Sequence, residues 1–238
     1  MIKYLKILLV FIVIILITLI FFKKEVIFLY LKDDKYAFTD NKETTLNEVW
    51  ITGLNNELKE NIIKAVKYNI GDYVNIINIK RIKERIDELN WIESSKVIIY
   101  PHGIMEIIVE EYIPFAIYYD TEKYFLINKN GYKFIEIYKK QYPNFFEITG
   151  KDSLDAINNL KDLVYYIYSS NLNLDKATRI DSRRWDLYFK NDMHIKLPAD
   201  NSLSVLKKFI NFDYNNIEFK NINIIDLRIP DRMILKYK

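Results

Sequence analysis

The residues best equipped for chemistry are two histidines, His102 and His194, the adjacent carboxylates Glu110-Glu111, and the run Arg183-Arg184-Trp185. Two imidazoles sharing a site could hold a metal or relay a proton. Here His102 falls in a turn and His194 in a β-type segment, too far apart in pattern to suggest a pair. Paired carboxylates could divide acid and base work, but neighbours on a strand point to opposite faces. The expected arrangement is one solvated carboxylate and one junction residue that caps backbone or pairs with a base. Arg183-Arg184 beside Trp185 could stack on nucleobases. The competing reading is a core tryptophan flanked by arginines, favoured because Trp185 and Leu187 share a strand face. No Gly-x-Ser-x-Gly, P-loop or His-Glu-x-x-His occurs. With no cysteine in 238 residues, thiol catalysis, disulfides and Cys-ligated zinc are excluded. No catalytic residue, metal site, cofactor or small-molecule substrate is expected. A net charge of +3, spread along the chain, argues against nucleic acid as a partner.

The elements that position these residues follow from patterning. Half of the residues are hydrophobic and 15% aromatic, enough for a packed core. Between Lys6 and Lys23 the run from Ile7 to Phe22 is uncharged. As a helix it covers about 24 Å at about 1.5 Å per residue, slightly short of the ~30 Å hydrocarbon core. Flanking lysines can snorkel. A secretory signal peptide would share the basic start and apolar run, but Phe21-Phe22-Lys23-Lys24 lacks a small-x-small cleavage site. The expectation is a retained transmembrane helix at 7–24, a cytoplasmic tail at 1–6 and a membrane-proximal linker at 25–46. The short basic tail favours a cytoplasmic N-terminus, with the C-terminal bulk translocated.

After the linker, Val49-Trp50-Ile51 reads as a strand closed by Gly53. Asn55-Asn56 offers a helix cap, and Leu58, Ile62, Ala65 and Val66 recur at helical spacing. A second helix starts near Lys80, with Ile82, Ile86 and Leu89 on one face. Two strands follow, joined by Pro101-His102-Gly103, which suits a type I turn. From Ile113-Pro114 onward the chain is rich in short strands, with a hairpin signal at Asn130-Gly131. Helical interruptions are read at 153–168 and 202–212. The expected class is α+β: one transmembrane helix, a βααββ unit at 47–113, and a mostly antiparallel β domain with two helices at 114–238.

These segments, in this order, resemble the FtsQ/DivIB family of bacterial cell-division proteins. Val49-Trp50-Ile51-Thr52-Gly53 resembles the opening strand of its POTRA domain. Leu89-Asn90-Trp91-Ile92 resembles an "L-P-W-V" helix end, with Asn90 replacing the usual proline. Pro101-His102-Gly103-Ile104 and Glu110-Glu111-Tyr112-Ile113-Pro114-Phe115-Ala116 resemble the turn and the "v-E-r-x-P-x-A" junction. Leu126-Ile127-Asn128-Lys129-Asn130-Gly131 is similar to "L-I-D-x-x-G". Arg183-Arg184-Trp185-Asp186-Leu187, Lys196-Leu197-Pro198 and Ile225-Asp226-Leu227-Arg228 resemble pieces of the β domain. The resemblance thus marks Gly53, Trp91, Pro101, Glu111, Pro114, Ala116, Gly131, Arg184, Trp185, Leu187 and Pro198 as structural positions.

What the resemblance implies is a non-enzymatic scaffold of the inner membrane and periplasm at the division septum. Such a scaffold binds the bitopic proteins FtsB and FtsL by strand addition to the late strands. By position, Leu227, Arg228, Ile229, Met233, Ile234 and Leu235 are the partner-edge candidates. Arg228 is divided between pairing with Asp226 or Asp231 and partner contact, and Ile229 stands where the family often has an aromatic. Two other readings stand beside this one: a membrane-tethered enzyme acting on cell wall, and another POTRA-containing secretion or assembly component.

Overall fold

The computed structural model describes residues 44–170, 172–212 and 221–238. Its elements are β1 (Glu48–Thr52), α1 (Lys59–Val66), α2 (Ile79–Asp87), β2 (Ile92–Ile99), β3 (Ile104–Glu111), β4 (Ala116–Tyr119), β5 (Tyr124–Ile127), β6 (Lys133–Ile137), β7 (Glu147–Thr149), α3 (Ile157–Ser169), β8 (Leu174–Ile180), β9 (Arg184–Phe189), β10 (His194–Lys196), α4 (Ser202–Ile210), β11 (Ile222–Asp226) and β12 (Ile234–Tyr237). Contacts divide the chain into two units. The first holds the described residues up to Trp50 with Lys67–Lys80 and Val97–Ile107, and the second holds Ile51–Val66, Arg81–Lys96 and Ile108–Lys238. The first sheet has the order β1-β3-β2 and the second β12-β11-β10-β9-β8-β7-β4-β5-β6.

Two features correct the fold class read from sequence. The transmembrane helix expected at 7–24 lies outside the described residues, and no helix among the described residues is long and apolar enough to cross a membrane. The large sheet keeps five antiparallel pairs out of eight but is mixed, with parallel pairs the sequence reading did not include. β4·β7, β7·β8 and β10·β11 are parallel pairs. The reason lies in the two helices read as interruptions. A parallel pair cannot be closed by a tight turn and needs a long crossover, usually a helix. α3 lies between β7 and β8 in the chain, and α4 between β10 and β11.

In the first unit, the strand-joining turn donates Gly103 N–H to the Tyr100 carbonyl at 3.0 Å, and Asn47 N–H donates to the Gly103 carbonyl at 2.7 Å. Gly103 has φ +77, and a Cβ there would stand 2.0 Å from the Thr45 carbonyl oxygen, so this close approach requires glycine. Pro101 is exposed at the tip of the turn beside His102.

The second unit carries the larger core. Ala116, Ile127, Ile148, Ala177, Trp185, Leu187, Ile195 and Ile225 line one face of the nine-stranded sheet. There they pack in one cluster with Leu160, Leu163, Val164 and Ile167 of α3 and Leu206 and Phe209 of α4. On the opposite face, over β4–β5–β6, Trp91 joins Ile117, Leu126, Phe134 and Ile137. Its ring lies 5.3 Å from that of Phe134. The β5–β6 loop is tied by Asn128 Oδ1, which accepts the N–H groups of Asn130 and Tyr132 at 2.9 and 3.0 Å. Gly131 within it adopts φ +79.

Candidate partner-binding edge

The site is best built outward from Trp185. β9 alternates strictly. Trp185 and Leu187 are fully buried in the helix-covered core, while Arg184, Asp186 and Tyr188 emerge on the other face. Trp185 has no ring face free to stack on a base, because the Arg179 guanidinium lies 5.2 Å from its centroid and its exposure is 0%. Arg184 pairs instead with Asp181 at 3.4 Å and Asp186 at 3.5 Å. β10 docks antiparallel on β9, setting His194 opposite Tyr188, Ile195 opposite Leu187 and Lys196 opposite Asp186. Leu197 N–H donates to the Trp185 carbonyl at 3.1 Å, and the half-buried Pro198 then leads out of the strand.

β11 runs parallel to β10, with Ile225 beside Ile195 and Asp226 beside Lys196. β12 folds back antiparallel, placing Ile234 opposite Asp226, Leu235 opposite Ile225 and Lys236 opposite Ile224. Among the described residues β12 is the last strand of its sheet and pairs with β11 alone. Its second row of backbone N–H and C=O groups therefore faces no strand among the described residues, which is the template for adding one.

The six edge candidates sort by depth. Leu227 is buried, and Met233 and Leu235 pack against the main core from partly buried positions. Ile229 and Ile234 are 45% and 50% exposed, which leaves two aliphatic side chains available beside the open edge. Arg228 forks onto Asp226: its Nε lies 2.9 and 3.0 Å from the two carboxylate oxygens and its Nη2 2.6 Å from Oδ2. The Arg228 backbone N–H donates to the same carboxylate at 3.1 Å. This guanidinium holds the Asp226 carboxyl below its ordinary range, against partial burial, which pushes the other way. Such a two-point pair fixes the orientation of the turn into β12.

A polar cluster not expected from the sequence sits on the same sheet face. His194 Nε2 stands 3.3 Å from the buried carboxylate of Asp186. The His194 and Tyr188 rings stack 4.1 Å apart, and Lys176 Nζ caps the Tyr188 ring at 4.8 Å. Strand alternation in the sequence puts Asp186 and Tyr188 on one face. Only the β9–β10 register brings His194 to them. His102, by contrast, lies in the first unit, in the turn after β2.

The junction residues hold the rest of the second unit together. Glu111, at the end of β3, accepts the backbone N–H groups of Asn55 at 2.8 Å, Asn56 at 2.9 Å and Glu57 at 2.9 Å, with Asn56 Nδ2 at 2.8 Å. Burial raises its pKa, but those donors prevail and its carboxyl titrates below the usual value. Glu110 points away and receives the Ser94 hydroxyl at 2.9 Å. Arg85 of α2 donates to the Ala65 and Val66 carbonyls at 2.6 and 2.7 Å, satisfying orphan acceptors at the end of α1. Gly53 has φ +91, and a Cβ there would meet the Val109 carbonyl oxygen at 1.9 Å. The half-buried Pro114 leads into β4, whose first residue, Ala116, is fully buried.

Comparison with known proteins matches residues 116–228 to the family profile "Cell division protein FtsQ/DivIB, C-terminal". The cell division protein FtsQ of Rickettsia bellii is 28% identical over 206 residues, covering 82% of this chain and 76% of that protein. FtsQ of Roseobacter litoralis is 24% identical over 202 residues, covering 84% and 69%. FtsQ of Rickettsia conorii is 27% identical over 211 residues, covering 87% and 78%. The profile accounts for β4 through β11, and the relatives extend the likeness across most of the chain. Over most of its length the chain is similar to FtsQ cell-division proteins, and residues 116–228 match the FtsQ/DivIB C-terminal family, which supports a role in cell division.

Proposed function

We propose that this chain is a non-catalytic assembly factor of the division septum. In this reading it binds FtsB- and FtsL-like bitopic proteins at the periplasmic face of the inner membrane and helps assemble the divisome there. Residues 47–113 act as a POTRA domain and residues 114–238 as the partner-binding β domain. The observation that carries the reading is β12: a strand open on one side among the described residues, with Ile234 exposed upon it and Ile229 exposed just before it. A partner strand laid along β12 would gain main-chain hydrogen bonds from the edge and side-chain selectivity from alternate positions. Arg228, held by Asp226, keeps a guanidinium beside the entry to that strand, where it favours a partner carboxylate.

The test is co-purification of the chain with the FtsB and FtsL homologues of its own organism. Retention of either protein by the folded chain is the expected result. A folded chain that retains neither contradicts the reading.

A further inference from the structure

We propose that the loop Lys67–Ile79 of the first unit rests on a lipid bilayer surface at headgroup depth. Ile70, Tyr73, Ile76 and Ile79 are 62%, 52%, 59% and 40% exposed. Loops ordinarily show polar side chains to water, and a run of exposed large apolar ones marks an interaction surface. The backbone beneath them is held in place. The Tyr68 hydroxyl accepts the Asn78 N–H at 3.1 Å and donates to the Ile76 carbonyl at 3.3 Å. Asp72 accepts the Asn69 N–H at 2.7 Å, and residues 74–76 form a 3-10 turn.

The path of the chain selects lipid as the occupant. Thr44–Leu46 is pinned along this loop. Val74 N–H donates to the Thr44 carbonyl at 2.9 Å, Leu46 N–H to the Asp72 carbonyl at 2.8 Å, and Gly71 N–H to the Leu46 carbonyl at 2.7 Å. The chain that enters the fold at Thr44 carries, 21 residues upstream, the uncharged stretch from Ile7 to Phe22. The exposed apolar loop therefore flanks the point where the chain bearing that apolar stretch enters the described fold. Its composition also fits. Isoleucines with an exposed tyrosine, a lysine at the loop's start, and one carboxylate already engaged by Asn69 N–H are the mix of an interfacial segment. The inference goes beyond the partner-edge reading and does not depend on it.

The chain has no cysteine, so one introduced thiol takes a nitroxide label uniquely. Ile70→Cys and Ile76→Cys are labelled in the full chain, which is reconstituted in phosphatidylethanolamine–phosphatidylglycerol vesicles. Tyr138→Cys, 80% exposed in the second unit, is the water-facing control. Electron paramagnetic resonance then measures collisions with oxygen and with a nickel chelate. The expected result at 70 and 76 is a severalfold fall in nickel collisions relative to 138, with oxygen collisions raised. A near-ultraviolet circular dichroism spectrum identical to that of the unsubstituted chain confirms that each variant is folded. Labels as open to nickel as the control overturn the proposal. Labels immobilised without the gain in oxygen collisions also overturn it, since they report a protein on that surface.

Discussion

Replacing Glu111 by Gln removes one negative charge and little else, which makes it a clean test of the junction. In the native chain that carboxylate accepts three consecutive backbone N–H groups, those of Asn55, Asn56 and Glu57, all within 3.0 Å. Successive N–H groups converging on one anion form a concave donor site. Hydrogen bonds to a charged acceptor contribute about 1.5–3 kcal/mol each, but the three share one acceptor that is partly open to water. The substituted amide keeps one accepting oxygen and turns an NH2 toward donors. The expected cost is therefore about 2 kcal/mol at neutral pH rather than the sum of three bonds. The sign with pH follows from the lowered carboxyl. A group whose folded pKa is depressed contributes stability above its unfolded value, here 4.5, and loses that contribution as pH falls through the lower folded value. Urea unfolding of both proteins, followed by tryptophan fluorescence, should show a wide separation at neutral pH. That separation should close as the native carboxylate protonates. A variant within about 0.5 kcal/mol of the unsubstituted chain at neutral pH, the range of an ordinary surface change, would mean that the Glu111 charge does not hold the junction. So would a difference that persisted unchanged in acid.

Three other substitutions probe the same unit. Gly53→Ala should cost about 3 kcal/mol or more in chemical denaturation, because it combines a strained positive φ with a carbonyl in the place of the new Cβ. Trp91→Ala should cost about 3–5 kcal/mol by the same assay, through loss of the packing over β4–β6. Arg85→Met leaves the Ala65 and Val66 carbonyls without their donors. It should cost about 1–3 kcal/mol and speed amide exchange at the end of α1.

Local structure was legible wherever chemistry acts over a few residues. Ile62 and Val66, or Ile82 and Ile86, mark the buried faces of α1 and α2 by spacing alone, and both pairs are buried. Pro101-His102-Gly103 and Asn130-Gly131 mark their turns for similar reasons. Legibility fails where the partner is distant. Asn55-Asn56 suggested a local helix cap, yet the N–H groups there are satisfied by Glu111, from the far end of β3. The alternation in β9 shows that Asp186 and Tyr188 share a face, but nothing in the sequence reveals that His194 comes against them. The three parallel pairs within the sheet are hidden from the sequence for a related reason. Periodicity located both helical segments but not their task of carrying the chain between parallel strands. β7 and β10, three residues each, are too short to declare a direction by pattern.

Partner binding at the open edge of β12 is read most directly by calorimetric titration of an FtsB-like partner into the chain and its edge variants. Ile229→Asp and Ile234→Asp each place a charge on an exposed position of that edge and leave the Trp185 core untouched. Each variant is expected to keep the unfolding midpoint of the unsubstituted chain within the margin of a surface substitution. Each is also expected to lose at least about tenfold in affinity, equivalent to about 1.4 kcal/mol. Unchanged affinity in both variants would contradict the assignment of β12 as the working surface.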